Sequence, residues 1–119
     1  MNYVHVKNLE KYHPGYKYNT LTEHHLEVVI LNSWDVIFSF NHIATRKKIS
    51  KRSIVDMLGE NDKYIYIIEL KHRPKRQKDI KQLNRYEKDL SKIRNKKIRK
   101  ILIDYNWTTE KINIWKVWS

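Results

Sequence analysis

Tyr64-Ile65-Tyr66-Ile67-Ile68-Glu69-Leu70-Lys71 is the stretch that decides the fold. Five aromatic or β-branched residues in succession favour an extended backbone, and apolar side chains on both pleat faces belong to a strand covered on both sides. The run then ends in charge. Alternation puts Glu69 and Lys71 on the same face, with about 7 Å between their Cα atoms. Burying a carboxylate beside a lysine costs several kcal/mol, about the scale of a desolvated ion, unless something compensates it. The end of this central strand is therefore the first place to look for a site.

Upstream, Ser53 to Leu58 reads as a second strand, and Gly59-Glu60-Asn61-Asp62 carries turn chemistry. Asp56 precedes Glu69 by 13 residues. If the two face each other across an antiparallel hairpin, Gly59-Glu60 pairs with Ile65-Tyr66, and residues 61 to 64 form the loop. Paired Cβ atoms then lie about 5 Å apart. Two carboxylates at that separation repel, and each raises the other's pKa unless a cation sits between them. Hard oxygen ligands so spaced suit Mg²⁺ or Mn²⁺, with the main-chain carbonyl of Leu70 as a further donor. Lys71 would orient or deprotonate a water, or neutralise charge developing on phosphorus. Such a set is equipped for metal-assisted hydrolysis of phosphodiesters.

The rest of the chain frames this hairpin as a single domain, 1–119. Residues 1–20 form an N-terminal segment, with a short edge strand near Tyr3-Val4-His5-Val6 and a turn at His13-Pro14-Gly15-Tyr16. Tyr3, Tyr12, Tyr16 and Tyr18 are expected to pack over the rim. A helix capped by Thr20 or Thr22 runs to about Asn32, its stripe made by Leu26, Val29 and Ile30. Glu23 lies on the inward face of that helix, and Glu27 borders it. Val36 to Phe40 reads as a strand, and Arg46 to Arg52, with five charges in seven residues, as an exposed turn. After a basic loop, His72 to Lys78, a second helix spans about Asp79 to Arg94, with Ile80, Leu83, Leu90 and Ile93 at helical spacing. Ile98 to Tyr105 and Lys111 to Trp118 complete the strands.

Composition narrows the function. The chain has 25 Lys+Arg against 13 Asp+Glu, a net charge of +12, and no cysteine. So large a basic excess calls for an anionic partner, nucleic acid first. Absence of cysteine excludes disulfides, a thiol nucleophile and cysteine-ligated zinc. The six histidines show no ligand spacing for zinc. No apolar run is long enough for a membrane span, and the N-terminus lacks a signal pattern, so the expectation is a cytoplasmic, intracellular protein, whether cellular, viral or plasmid-encoded. Between Lys71 and Lys100 stand fourteen Lys/Arg and three acids. Phosphate contact is expected from His72, Arg73, Lys75, Arg76 and Arg85, and from Arg46, Lys47, Lys48, Lys51 and Arg52 on the preceding basic segment. These contacts give affinity without sequence readout. A Trp115/Trp118 stripe on the last strand would make a surface for a homodimer.

Ser53-Ile54-Val55-Asp56-Met57-Leu58 and Glu69-Leu70-Lys71 resemble the PD-(D/E)xK nuclease superfamily, whose α-β-β-β-α-β core also matches the element order. Val55 stands where the common pattern has Pro. Within that superfamily the likeness is to the C-terminal nuclease domain of the NucS/EndoMS type, carried by Tyr66-Ile67-Ile68-Glu69-Leu70-Lys71-His72-Arg73, by Gln82-Leu83-Asn84-Arg85-Tyr86 and by Thr22-Glu23-His24-His25-Leu26-Glu27. It covers about residues 22 to 105. The resemblance implies a restriction-endonuclease-like α/β fold with a mixed central sheet flanked by helices. It implies a Mg²⁺- or Mn²⁺-dependent DNA endonuclease in which Asp56, Glu69, the Leu70 carbonyl and Glu23 serve the metal. Lys71 is then catalytic, and Gln82 positions substrate or the lysine. Two alternatives accompany it: a structure-selective nuclease of the Holliday-junction-resolvase type, and a non-catalytic DNA-binding protein on the same scaffold.

Overall fold

The computed structural model describes residues 2–5, 23–106, 108 and 111–118. The turn expected at residues 13–16, the tyrosines Tyr12, Tyr16 and Tyr18, and the helix cap at Thr20 or Thr22 lie outside them. The described elements, in chain order, are β1 (Asn2–His5), α1 (Glu23–Asn32), α2 (Trp34–Ile37), β2 (Asn41–Ser50), β3 (Ser53–Glu60), β4 (Tyr64–Lys71), α3 (Gln77–Ser91), β5 (Lys97–Asn106) and β6 (Lys111–Lys116).

One six-stranded sheet runs in the order β1-β6-β5-β4-β3-β2. Only β4 and β5 are parallel, and α3 makes the crossover that a parallel pair requires. β4 sits inside the sheet, and Ile65 to Leu70 are all buried, as the apolar run demands. Its alternation divides two cores. Tyr66, Ile68 and Leu70 face the α1 side, with Leu26, Val29, Ile30 and Trp34. Ile65 and Ile67 face the α3 side, with Leu83, Tyr86 and Leu90. Odd-numbered positions of β4 thus look toward α3, and this is the face onto which Glu69 and Lys71 open.

The β3–β4 register pairs Gly59 with Tyr66 and Glu60 with Ile65, the offset that places Asp56 opposite Glu69. Gly59 and Glu60 are strand residues rather than turn residues. The turn is confined to residues 61–63, where the Asn61 side chain accepts the N–H groups of Lys63 and Tyr64.

Three other expectations are corrected. Val36 to Phe40 is no strand: α2 occupies Trp34–Ile37, and the following residues turn into β2. Its apolar residues serve an aromatic cluster instead, with Trp34, Phe38 and Phe40 within 6 Å of one another, ring centre to ring centre, and Trp34 Nε1 donating to the Phe40 carbonyl. The basic stretch Arg46 to Ser50 belongs to β2, with only Lys51 and Arg52 turning. An edge strand can carry cations on its exposed positions, and those cations discourage pairing with another sheet. The tryptophan stripe is also divided. Trp115 packs on the α3-side core and Trp118 on the α1-side core, so they share no face. Among the described residues no helix is long and apolar enough to cross a membrane.

Candidate active site

The β3–β4 ladder has Met57–Ile68 as its last pair. Beyond it, side chains take over the strand pairing. The Asp56 N–H donates to Glu69 Oε1 at 3.3 Å, and the Leu70 N–H donates to Asp56 Oδ2 at 2.8 Å. Each carboxylate therefore satisfies a main-chain donor on the facing strand, and the Asp56 carboxyl lies near enough to act on that of Glu69. A residue's N–H and C=O project to the same side of a strand, so the Leu70 carbonyl also points to the Asp56 edge, past the end of the ladder.

Glu69 is 3% exposed. Burial first, and then the Asp56 carboxyl, push its pKa well above the usual carboxylate range; Lys71 opposes them. Lys71 Nζ lies 3.9 Å from Glu69 Oε2, an ion pair loose enough to leave the ammonium other donors to use. The proximity that sequence spacing suggests for Glu69 and Lys71 is the one observed.

α3 supplies the next layer. Tyr86 is buried, and its hydroxyl donates to Glu69 Oε2 at 3.4 Å while accepting from Gln82 Nε2 at 2.7 Å. Gln82 thus reaches the acidic pair through Tyr86, and not through Lys71. Burial, reinforced by Glu69, pushes the Tyr86 phenol up to about 12, so it stays a proton donor.

α1 brings two acids near, and they differ. Glu23, at the exposed start of the helix, feels partial loss of water and then Asp56, both raising its pKa, against Lys71 and His72. Glu27, one turn on, is buried and paired with Arg46 Nη2 at 3.4 Å. Of the two, Glu23 faces the Asp56–Lys71 cluster.

The basic loop after β4 is pinned by buried acids. Arg73 makes a bidentate pair with Asp79, both contacts at 2.9 Å, and the Arg76 N–H adds a third bond to that carboxylate. Burial alone would raise the Asp79 pKa; Arg73 and the Arg76 N–H more than offset it, and the net shift is downward. The Lys75 N–H donates to Asp104 Oδ2 at 2.7 Å, and the Lys75 ammonium sits over the Trp115 ring. Arg73 and Lys75 therefore use much of their bonding capacity inside the protein. Next to Lys71 a cleft of about 480 Å³ is lined by Lys71, Arg73, Lys78, Asp79, Lys81, Gln82 and Arg85. Its open cations come chiefly from α3. On the β2–β3 side, Lys47, Lys48 and Lys51 are exposed, whereas Arg52 pairs with the buried Asp89.

Residues 22–116 match the family model described as the endonuclease NucS C-terminal domain. The chain belongs to that family. Its fold is similar to the crystal structure of a repair endonuclease from Pyrococcus abyssi, with a TM-score of 0.62 and 28% identity over 76% of this chain. The match takes in 39% of the Pyrococcus chain, so this NucS-type chain spans about two fifths of that protein's length. No curated protein matches. The mixed sheet, the Asp56 strand and the Glu69-Leu70-Lys71 strand are consistent with the PD-(D/E)xK arrangement.

Sequence patterns alone leave some members of the site out. Tyr86 stands out only as part of a motif, although its spacing of four from Gln82 puts both on one helix face. Asp79 and Asp104 read as ordinary acids, yet both are buried and hold the loop that follows Lys71. The usable signal for Asp104 is its position: it ends the apolar run Ile101-Leu102-Ile103 as Glu69 ends the run in β4.

Proposed function

We propose that this NucS-type chain is a DNA endonuclease that uses Mg²⁺ or Mn²⁺ to hydrolyse phosphodiester bonds. The observation that carries the reading is the crossed pair of bonds that brings Asp56 and Glu69 together, Asp56 N–H to Glu69 Oε1 and Leu70 N–H to Asp56 Oδ2, at a buried strand end with Lys71 beside them. In the absence of a cation, such a pair is comfortable only by sharing a proton. The donor set fits a hard divalent ion: two carboxylates whose outer oxygens are oriented by main-chain N–H groups, and a carbonyl on the same edge. Among the described residues no three Asp, Glu or His side chains converge as a ready cage, so the Leu70 carbonyl and water would complete the shell. Bound there, the ion supplies Lewis-acid polarisation of the phosphate and a more acidic water.

The protein's own groups do the rest. The Leu70 N–H fixes Asp56; Tyr86, braced by Gln82, fixes Glu69. Lys71 stands at the mouth of the basic cleft, where its ammonium can donate to a phosphoryl oxygen or to the attacking water. Glu23 adds negative charge on the α1 side. Lys78, Lys81 and Arg85 offer phosphate contacts that draw a duplex to the cleft. Cutting both strands calls for two such sites on one duplex, so a homodimer is part of the proposal. Light scattering at high protein concentration tests it, and a particle of 14.7 kDa would count against it.

The decisive assay is nicking of supercoiled plasmid in Mn²⁺, with Glu69→Ala as control. Wild type should nick, and the variant should not, because alanine removes a carboxylate that would hold the metal. Equal cleavage by both proteins would end the assignment.

A further inference from the structure

Charge alone assigns Arg46 to DNA phosphate. Its surroundings give it another task. It has a left-handed backbone, with φ at 51°, and it is the sole non-glycine residue with positive φ among those described. A residue of its size is uncommon there. Its place in the sheet is equally specific. β2 pairs Thr45 with Met57 and Lys47 with Val55, and between these rungs Arg46 and Asp56 stand opposite each other without pairing. The offset between the strands is the same on both sides of the gap, so no residue is gained or lost.

What changes across the gap is the facing. Before it, Leu58 packs on the α3-side core and Met57 on the α1-side core. After it, Val55, fully buried, packs on the α3 side, where strict alternation would have sent Ile54; Ile54 is instead 55% exposed. The pleat of β3 thus reverses at Asp56, the residue facing left-handed Arg46. Irregularities of this kind re-aim side chains next to functional sites. The Arg46 guanidinium is anchored too, on the buried carboxylate of Glu27 in α1, one turn beyond Glu23.

We propose that Arg46 is a positioning residue for the acidic pair: its left-handed backbone reverses the pleat at Asp56 and swings that carboxylate in toward the Leu70 N–H, beside Glu69, and its ion pair with Glu27 ties the reversal to α1. The proposal refines the metal-site reading, but its geometric part stands without a metal. Deep burial of Val55 and satisfaction of the Leu70 N–H follow from the same reversal.

Two substitutions separate backbone from charge. Arg46→Gly and Arg46→Val remove the same guanidinium, but only glycine accepts a positive φ freely, while a β-branched residue resists it. The readout is amide hydrogen exchange at Leu70, whose N–H donates to Asp56 Oδ2, with other β4 and β5 amides as internal reference. Exchange at Leu70 should be at least tenfold faster in Arg46→Val than in Arg46→Gly, while the reference amides stay alike. Mn²⁺ affinity should be lower in the valine variant than in the glycine variant by a similar factor. Equal Leu70 exchange in the two variants would overturn the proposal. Failure of wild type to bind Mn²⁺ would overturn the metal reading only, since the Leu70 comparison needs no ion. Should Arg46→Val fail to fold, Arg46→Ala takes its place, with an expected difference of at least threefold from glycine, and equality again overturns the proposal.

Discussion

The Asp56 carboxylate accepts the Leu70 N–H at 2.8 Å, one step beyond the last main-chain rung joining their strands. A side chain there takes the place of a strand. The two strands can part without leaving a buried donor unsatisfied, and the gap that opens is edged by acid oxygens and by a carbonyl. The position of the site therefore follows from where the hairpin stops pairing.

Glu69 should make the metal-free protein less stable at neutral pH. Its folded pKa lies above the ordinary value of 4.5, so the folded state holds its proton more tightly than the unfolded state. That contribution is fully present below pH 4.5 and is lost as pH rises through the folded value. Glu69→Gln removes this dependence. In EDTA at pH 7.5 the variant should unfold several degrees above wild type, a gain on the order of 1–2 kcal/mol. Added Mn²⁺ should reverse the order, because wild type alone gains a ligand. Thermal melts in the two buffers check both halves.

The cations of α3 should govern DNA affinity. Replacing Lys78, Lys81 and Arg85 together by alanine should weaken duplex binding at 100 mM salt and lower the slope of log K against log salt by about 3, one unit for each phosphate that the protein no longer neutralises. All three lie on the cleft side of the helix, so folding should be unaffected. A titration by fluorescence anisotropy at several salt concentrations measures the slope. An unchanged slope would move the DNA to another face.

Asp89 should set the acid limit of stability. It accepts bonds from the hydroxyls of Ser53 at 2.6 Å and Ser50 at 3.0 Å, and pairs with Arg52, tying the β2–β3 hairpin to α3. The Ser53 hydroxyl first, then Arg52, hold its carboxyl well below the usual range. A depressed acid stabilises the fold above its unfolded value of 3.8, and the benefit disappears as pH falls toward the folded value. Asp89→Asn should thus lower the melting temperature at pH 7. The difference should narrow steadily below pH 4, as followed by circular dichroism.

Gly59 should tolerate no side chain. A Cβ at this position would stand 2.5 Å from the Phe40 ring, which is stacked flat on Tyr66 with centroids 3.7 Å apart. Neither ring can yield without disturbing the aromatic cluster. Gly59→Ala should cost about 1–3 kcal/mol, the range for overpacking a tight core. Urea denaturation checks the figure.

Much of this is legible in the sequence because hydrophobic patterning is strong wherever burial is two-sided. β4 can be bounded at Tyr64 and Lys71 because the apolar run leaves no other choice, and the Asn61 turn then fixes the register as far as Asp56. Legibility fails at the sheet's edge and in its aromatic corner. β2 carries its cations on exposed positions, so it shows no apolar period, and its strand state is imposed by pairing with β3. Val36 to Phe40 has the composition of a strand, but Trp34, Phe38 and Phe40 gain more by clustering in three dimensions. The reversal at Arg46 and Asp56 has no signature at all in residue type, since arginine is not chosen for a left-handed backbone. The tasks of Tyr86 and Asp104 become visible when the crossover brings α3 and β5 against the end of β4, although a motif marks the first and the end of an apolar run marks the second.

Helix α3 divides two duties between opposite sides of one cylinder. Leu83, Tyr86 and Leu90 hold the sheet, while Lys78, Lys81 and Arg85 look outward into the cleft. Outward positions can mutate freely without threatening the hydrophobic contacts behind them. A lineage, or a protein engineer, can therefore retune the charge that this helix presents to solvent while leaving the acidic strand end and the thermal tolerance of the scaffold where they were.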